Sequence, residues 1–231
     1  MVSKKKQRES YIRNLEKLGI TIRDGYASSI RREPMIVIEG IKGVEKQLRI
    51  SGINALGPIH QGHHTIVDIL TKEGTVDVLI SDFCCDEFNT REEIEKSVWG
   101  RLRAEWLASV LGLFECYEKA NRKGKLTVRC YKTKPTEAIV IIDRWLLQYN
   151  PYDDEMAEQN LVKNVQLYFI KQEDSGEDAI RNFNKYEGKF NTMWEESRER
   201  EIDFKKGNGN EIKEKLEKMK TLLYYKRSQN L

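Results

Sequence analysis

The three histidines of the chain, His60, His63 and His64, fall within five residues of one another. Imidazole changes charge nearest to neutral pH, so such a cluster suits proton transfer, nucleophilic attack or metal ligation. His60 and His64 stand four apart, which places both on one helix face if a helix begins early. A metal would need a third ligand, and Asp82 or Asp86 is the candidate at the end of the next strand. The flanking glutamate of a zinc-protease helix is missing, and no metal and no cofactor is expected. The cluster therefore has three readings: ligands, polar residues lining a pocket, or helix-end residues without a site role. In an enzyme, His60 or His64 would act.

Other polar groups gather near the same connection. Ser51 ends a short apolar stretch, and Asn54-Ala55-Leu56-Gly57-Pro58 opens a loop in which Gly57-Pro58 marks a tight turn. The loop lacks the G-x-G-x-x-G spacing of dinucleotide sites. Asp82 closes the next apolar stretch and Asn150 follows a later one. Arg91, Arg101 and Arg103 are cations within reach of that edge. The bland reading gives each arginine a solvated helix face and Asp82 a capping role. The binding reading groups Ser51, Asn54, His60, His63, Asp82, Arg101 and Asn150 around a small phosphate- or nucleotide-type ligand.

These groups need strands and helices to position them. Gln47 to Ile53 reads as a strand, Asn54 to Gly62 as a loop, His63 to Lys72 as a helix stopped by Gly74, and Thr75 to Asp82 as a strand. A connection of that length implies a parallel β-α-β pair, whose strand ends are where such sheets bind ligands. Residues 90 to 122 carry one apolar helical face through Val98, Leu102, Trp106, Val110 and Leu113, with Thr90 as N-cap. Leu126 to Tyr131 is a third strand. Ala138 to Asp143 is a fourth, whose unbroken apolar run predicts a strand covered on both faces. Trp145 to Tyr149 should pair with it as a hairpin, Asn164 to Lys171 adds another strand, and residues 176 to 202 read as a helix. Lys4 to Leu18, Pro34 to Lys46 and Glu211 to Tyr225 are further predicted helices, and Ile20 to Glu33 is irregular. The expected division is an N-terminal lead-in over 1–33, an α/β domain over 34–203, and a linker with a charged helix over 204–231.

Length and composition fit a globular chain: 231 residues, 39% hydrophobic and 33% charged. No apolar run approaches about 20 residues, so no membrane partner is expected. The start is basic without an apolar stretch after it, unlike a secretory signal. Cys84, Cys85, Cys116 and Cys130 show no C-x-x-C spacing, which favours reduced thiols and a cytoplasmic location. Forty basic residues oppose 37 acidic ones, for a net charge of +3. Nucleic acid is therefore a secondary expectation, confined to local patches such as Lys4-Lys5-Lys6, Lys205-Lys206 and Tyr224-Tyr225-Lys226-Arg227.

The order of these elements, with Arg49-Ile50-Ser51-Gly52, Val76 to Asp82, Arg101-Leu102 to Trp106, Val128 to Tyr131, Ile139 to Asp143 with Tyr149-Asn150, and Phe190 to Ser197, resembles the phospholipase-D-like superfamily. It is most similar to the single-copy domains of some bacterial regulators. The resemblance spans roughly residues 35 to 200. It implies a mixed, mostly parallel sheet flanked by helices, and a homodimer. The family's His-x-Lys pair, in which histidine attacks phosphorus and lysine neutralises the phosphate, belongs just before Ile141-Ile142-Asp143. Pro135-Thr136-Glu137-Ala138-Ile139 stands there instead. The resemblance thus implies a non-catalytic ligand-sensing or interaction domain. The alternatives are a phosphodiesterase or nuclease with a relocated histidine, and an adaptor acting through its terminal helices.

Overall fold

The computed structural model describes residues 26–29, 45–94, 100–134, 136–152, 166–171, 176–202, 204 and 214. The predicted helices over 4–18 and 211–225 lie outside these residues, apart from Glu214, as does most of the one over 34–46. Glu45 and Lys46 themselves form a bend leading into the first long strand.

Eight strands form one sheet: β1 (Tyr26–Ser29), β2 (Gln47–Gly52), β3 (Thr75–Ser81), β4 (Lys125–Tyr131), β5 (Glu137–Ile142), β6 (Leu146–Pro151), β7 (Gln166–Ile170) and β8 (Glu201–Ile202), in the order β1-β7-β6-β5-β2-β3-β4-β8. Among the described residues five helices accompany them: α1 (Leu56–Gln61), α2 (His63–Thr71), α3 (Asp86–Ile94), α4 (Arg101–Lys119) and α5 (Glu177–Glu196). The expected parallel pair is present, with Gln47 opposite Thr75 and Gly52 opposite Ile80. β4 adds a second parallel pair. The sheet is mixed, as expected, but it is not mostly parallel. Every other neighbour pair is antiparallel. Parallel pairing needs a long crossover, and among the described residues the β2–β3 and β3–β4 connections supply it with helices. β5 and β6 instead turn through the three residues Asp143, Arg144 and Trp145, the first two at positive φ (44° and 58°).

Strand alternation builds two cores. Leu48, Ile50, Val76, Val78, Ile80, Val140 and Ile142 meet α1 to α4 on one face. Leu79, Ile139, Ile141, Leu147 and Phe169 meet Phe183 and Phe190 of α5 on the other. The apolar run of β5 therefore feeds both cores, as its composition predicts.

Several elements depart from expectation. The loop from Asn54 to Gly62 contains α1; Pro58 is its third residue, where a missing N–H is harmless. The helix over 90–122 is two helices, because α3 begins at Asp86 and Gly100 enters the left-handed region (φ 83°) before α4. Thr90 consequently lies inside α3 rather than capping it. The helix after residue 176 ends at Glu196, and a 3-10 turn leads into β8. The lead-in contributes β1, paired with β7, and Phe204 is buried in the core against Phe114. Sheet and core thus extend beyond 34–203 at both ends.

Candidate functional site

α1 and α2 descend beside α4, and four contacts mark the levels. Asn54 Nδ2 donates to Glu105 Oε2 at 2.7 Å. A Cβ placed on Gly112 would lie 3.5 Å from Ile59. Cys116 Sγ donates to the His63 carbonyl at 3.7 Å. A Cβ on Gly124 would lie 3.0 Å from Leu70 Cα. Eleven residues of helix separate Glu105 from Cys116, about 16 Å at roughly 1.5 Å per residue. The histidines are therefore well below the edge where the parallel strands end. His60 and His64 are exposed and His63 is half-buried. Burial first, then the Lys119 and His64 charges, hold His63 below its ordinary pKa, opposed by Glu115. Among the described residues no three His, Cys, Asp or Glu side chains are placed to hold a metal ion.

At the upper edge, the polar residues named from sequence divide by role. Asn54 spends its amide on Glu105 and its oxygen on the Leu56 N–H at 3.1 Å. Arg101 is exposed and pairs with the same Glu105 at 2.7 Å. Asp82 shapes the turn after β3: its N–H donates to the Tyr131 carbonyl at 2.7 Å, and its Oδ1 accepts the Cys84 N–H at 3.0 Å. Ser51 is buried and, by strand alternation, faces α5, away from its neighbour Gly52.

Gly52 belongs to a tighter group on the α3–α4 face. Asn150 of β6 stands opposite Ala138 of β5. Tyr152 extends the same ladder through its N–H to the Thr136 carbonyl at 2.8 Å, on the same face as Asn150. A Cβ on Gly52 would lie 3.2 Å from the Tyr152 hydroxyl and 3.6 Å from Ala138 Cβ. The Tyr152 hydroxyl accepts the Ile53 N–H at 3.3 Å. Arg91, only 5% exposed, holds its guanidinium 5.2 Å from the Tyr152 ring centre. Asn150 Oδ1 is buried with no hydrogen-bond partner. Small residues, a buried cation and an orphaned acceptor thus meet in one place. Ala138 of β5 forms one wall.

The opposite face of this edge carries a second polar group. Glu137 is buried and accepts Lys189 Nζ at 2.5 Å and Thr136 Oγ1 at 2.7 Å. Burial pushes the Tyr131 hydroxyl well above its ordinary pKa, with Tyr152 and Glu137 adding to the effect.

Of the seven residues grouped from the sequence as ligand-binding, Asn150 lies in this group. Arg91 was legible as one of three edge cations. Arg103 instead lies over Phe88 and pairs with Glu92 and Asn89. Tyr152 was missed; its signal is its position two residues beyond Asn150, on the same strand face.

No family model matches the chain, and no curated protein matches it. Among solved structures it is similar to TrmBL2, an archaeal chromatin protein whose structure shows a novel mode of DNA binding, at 15% identity, 84% of this chain, 62% of that chain and a TM-score of 0.45. It is similar to Nuc, a phospholipase D family member of Salmonella typhimurium, at 10% identity, 71% and 88% coverage and a TM-score of 0.41. It is also similar to a phosphatidylserine synthase of Haemophilus influenzae, at 12% identity, 77% and 43% coverage and a TM-score of 0.42. The chain spans less than two thirds of the first of these proteins and less than half of the third.

Proposed function

We propose that this chain is a non-hydrolytic binding domain of phospholipase-D-like architecture, taking a small phosphate- or nucleotide-type ligand at the upper strand edge. The observation that carries the reading is the group of Arg91, Tyr152 and Asn150 around Gly52 and Ala138. A buried guanidinium suits a phosphate, and an amide oxygen without a partner suits a hydroxyl or amine on the same ligand. Thr136 and Ala138 supply neither an imidazole nor an ammonium group beside it. The phosphodiesterase alternative would need His60 or His64, which lie about 10 to 16 Å below Glu105 along α4. A homodimer and a cytoplasmic location belong to the same proposal.

The test has two arms on the full chain. Hydrolysis of a chromogenic phosphodiester and of single-stranded DNA is measured for wild type, His60→Ala and His64→Ala, each with and without chelator. The expected result is no turnover; turnover lost in either histidine variant would return the enzyme reading. Nucleoside mono- and triphosphates are then screened by thermal shift. A ligand at about 100 times its Kd stabilises by about 2.7 kcal/mol. The shift should vanish in Arg91→Met and weaken in Asn150→Ala. A shift retained in both would move the ligand elsewhere.

A further inference from the structure

The opposite, lower edge of the sheet carries a different chemistry. Lys46 precedes β2, Lys72 follows α2, Lys123 stands in the turn before β4, and Lys125 begins β4; all four are exposed. Backbone hydrogen bonds hold these segments together: Thr75 N–H to the Lys46 carbonyl at 2.7 Å, and Lys125 N–H to the Gly74 carbonyl at 2.9 Å. β2 and β4 flank β3, so their starts lie about 10 Å apart. Gly124 makes the approach possible. Its φ is 66°, and a Cβ there would fall 2.7 Å from the carbonyl oxygens of both Gly74 and Leu70.

Asp77 of β3 is buried beside Lys125, and Asp68 is exposed one helical turn before Lys72. Glu118 pairs with Arg122 at 2.5 Å, and the Asp143 carboxylate accepts the Glu45, Lys46 and Gln47 N–H groups at 2.7 to 2.9 Å. Glu45 is half-buried and Glu73 is the exposed carboxylate within the paired turns. The carbonyl ends of α2 and α4 favour cations and so account for Lys72. They do not account for Lys46, Lys123 and Lys125, which stand on strand starts and a turn. Neither turn, 72–74 or 121–125, contains an aromatic residue on which an unpaired base could stack.

We propose that this lower edge is a docking surface for the phosphate backbone of duplex nucleic acid, read by charge and shape rather than by base sequence. The net charge of +3 conceals it, because the remaining charges of the chain largely cancel. The surface stands apart from the upper-edge ligand site and does not rest on it.

The experiment is fluorescence anisotropy of a labelled duplex DNA with the full chain between 50 and 200 mM salt. Each phosphate contact adds about 0.9 to the slope of log affinity against log salt. Replacing Lys46, Lys72, Lys123 and Lys125 together by Gln should therefore flatten the slope by about 3 to 4 and weaken binding ten-fold or more. Glu73→Gln should tighten binding by removing a like charge from the phosphate path. A matched variant losing Lys132, Lys134, Arg181 and Lys185 should bind as wild type does. Four results would overturn the proposal: no duplex binding at 50 mM salt, unchanged binding by the quadruple variant, tighter binding of single strands than of duplex, or association with phosphatidylserine vesicles in place of DNA.

Discussion

Arg49 and Glu187 join β2 to α5 through the apolar core behind the sheet. Arg49 NH2 donates to Glu187 Oε1 at 2.5 Å, and both side chains are 8% exposed. Arg49 NH1 donates to Asn191 Oδ1 at 3.0 Å, and its guanidinium lies 5.5 Å from the Phe190 ring centre. Arg144 adds a bond to the same glutamate oxygen at 3.1 Å from a largely exposed position. Changing Glu187 to Gln keeps the shape and removes the charge, leaving Arg49 with Asp77, opposite it on β3, as the remaining buried carboxyl beside it. Breaking such a pair from one side costs about 3 to 5 kcal/mol. A retained amide acceptor and the exposed Arg144 argue for the lower end, about 3 kcal/mol. In a chain of this size each kcal/mol moves Tm by about 2 to 4 °C, so the expected loss is about 6 to 12 °C at pH 7. Burial alone would raise the Glu187 pKa. The hydrogen bond and charge of Arg49, followed by those of Arg144, outweigh it and hold the carboxyl below its ordinary value of 4.5. The ion pair's contribution is thus present above about pH 4.5 and lost as pH falls through the lower folded value. Circular dichroism melts from pH 7 to pH 3 should show wild type and variant converging in acid. A loss under 2 °C at pH 7, or a gap that persists in acid, would refute this account of what anchors α5.

Three further outcomes are expected. Gly124→Ala forces a Cβ to within 2.7 Å of two backbone oxygens at a φ of 66°, so its Tm should fall by more than 5 °C, as a thermal melt would record. Phe204→Ala empties a site that is 2% exposed, at a cost of about 3 to 5 kcal/mol by urea unfolding; a neutral result would detach residue 204 from the core. Burial raises the Cys85 thiol and pushes Cys116 and Cys130 up to about 12, while Cys84 is exposed. At pH 8 a chromogenic disulfide should therefore titrate one thiol quickly and the others only after unfolding; a second fast thiol would contradict the burial.

Much of the central sheet was legible because its strands are short apolar blocks bounded by turn residues. Ala138 to Asp143 read as covered on both faces, and Ile139 to Ile142 are buried between the two cores. β1 was not legible, since Tyr-Ala-Ser-Ser has no apolar alternation and is held by backbone pairing to a strand 140 residues away. α1 was hidden because Gly57-Pro58 reads equally as a turn and as a first helical turn. The polar opening of α3, Asp86-Glu87, resembles a loop until Phe88 is seen in the core. The site was harder still. Arg91 meets Tyr152 across 61 residues, and only the fold selects it from the three nearby arginines. The histidines drew attention by clustering, yet α1 carries them down α4 and away from the strand ends.

The path of the chain after α5 has a mechanical consequence. From the α5 side it crosses the outer edge of β4 as β8, pairing Glu201 with Arg129 and Ile202 with Val128, and then inserts Phe204 beside Phe114 on the α4 side. The segment works as a clasp over the sheet's last strand. Tension applied from beyond residue 204 would load this two-residue ladder and one buried ring before it reached α5. Opening the clasp would bare a strand edge able to accept another chain, so integrity at residues 201 to 204 guards the fold against edge-to-edge aggregation.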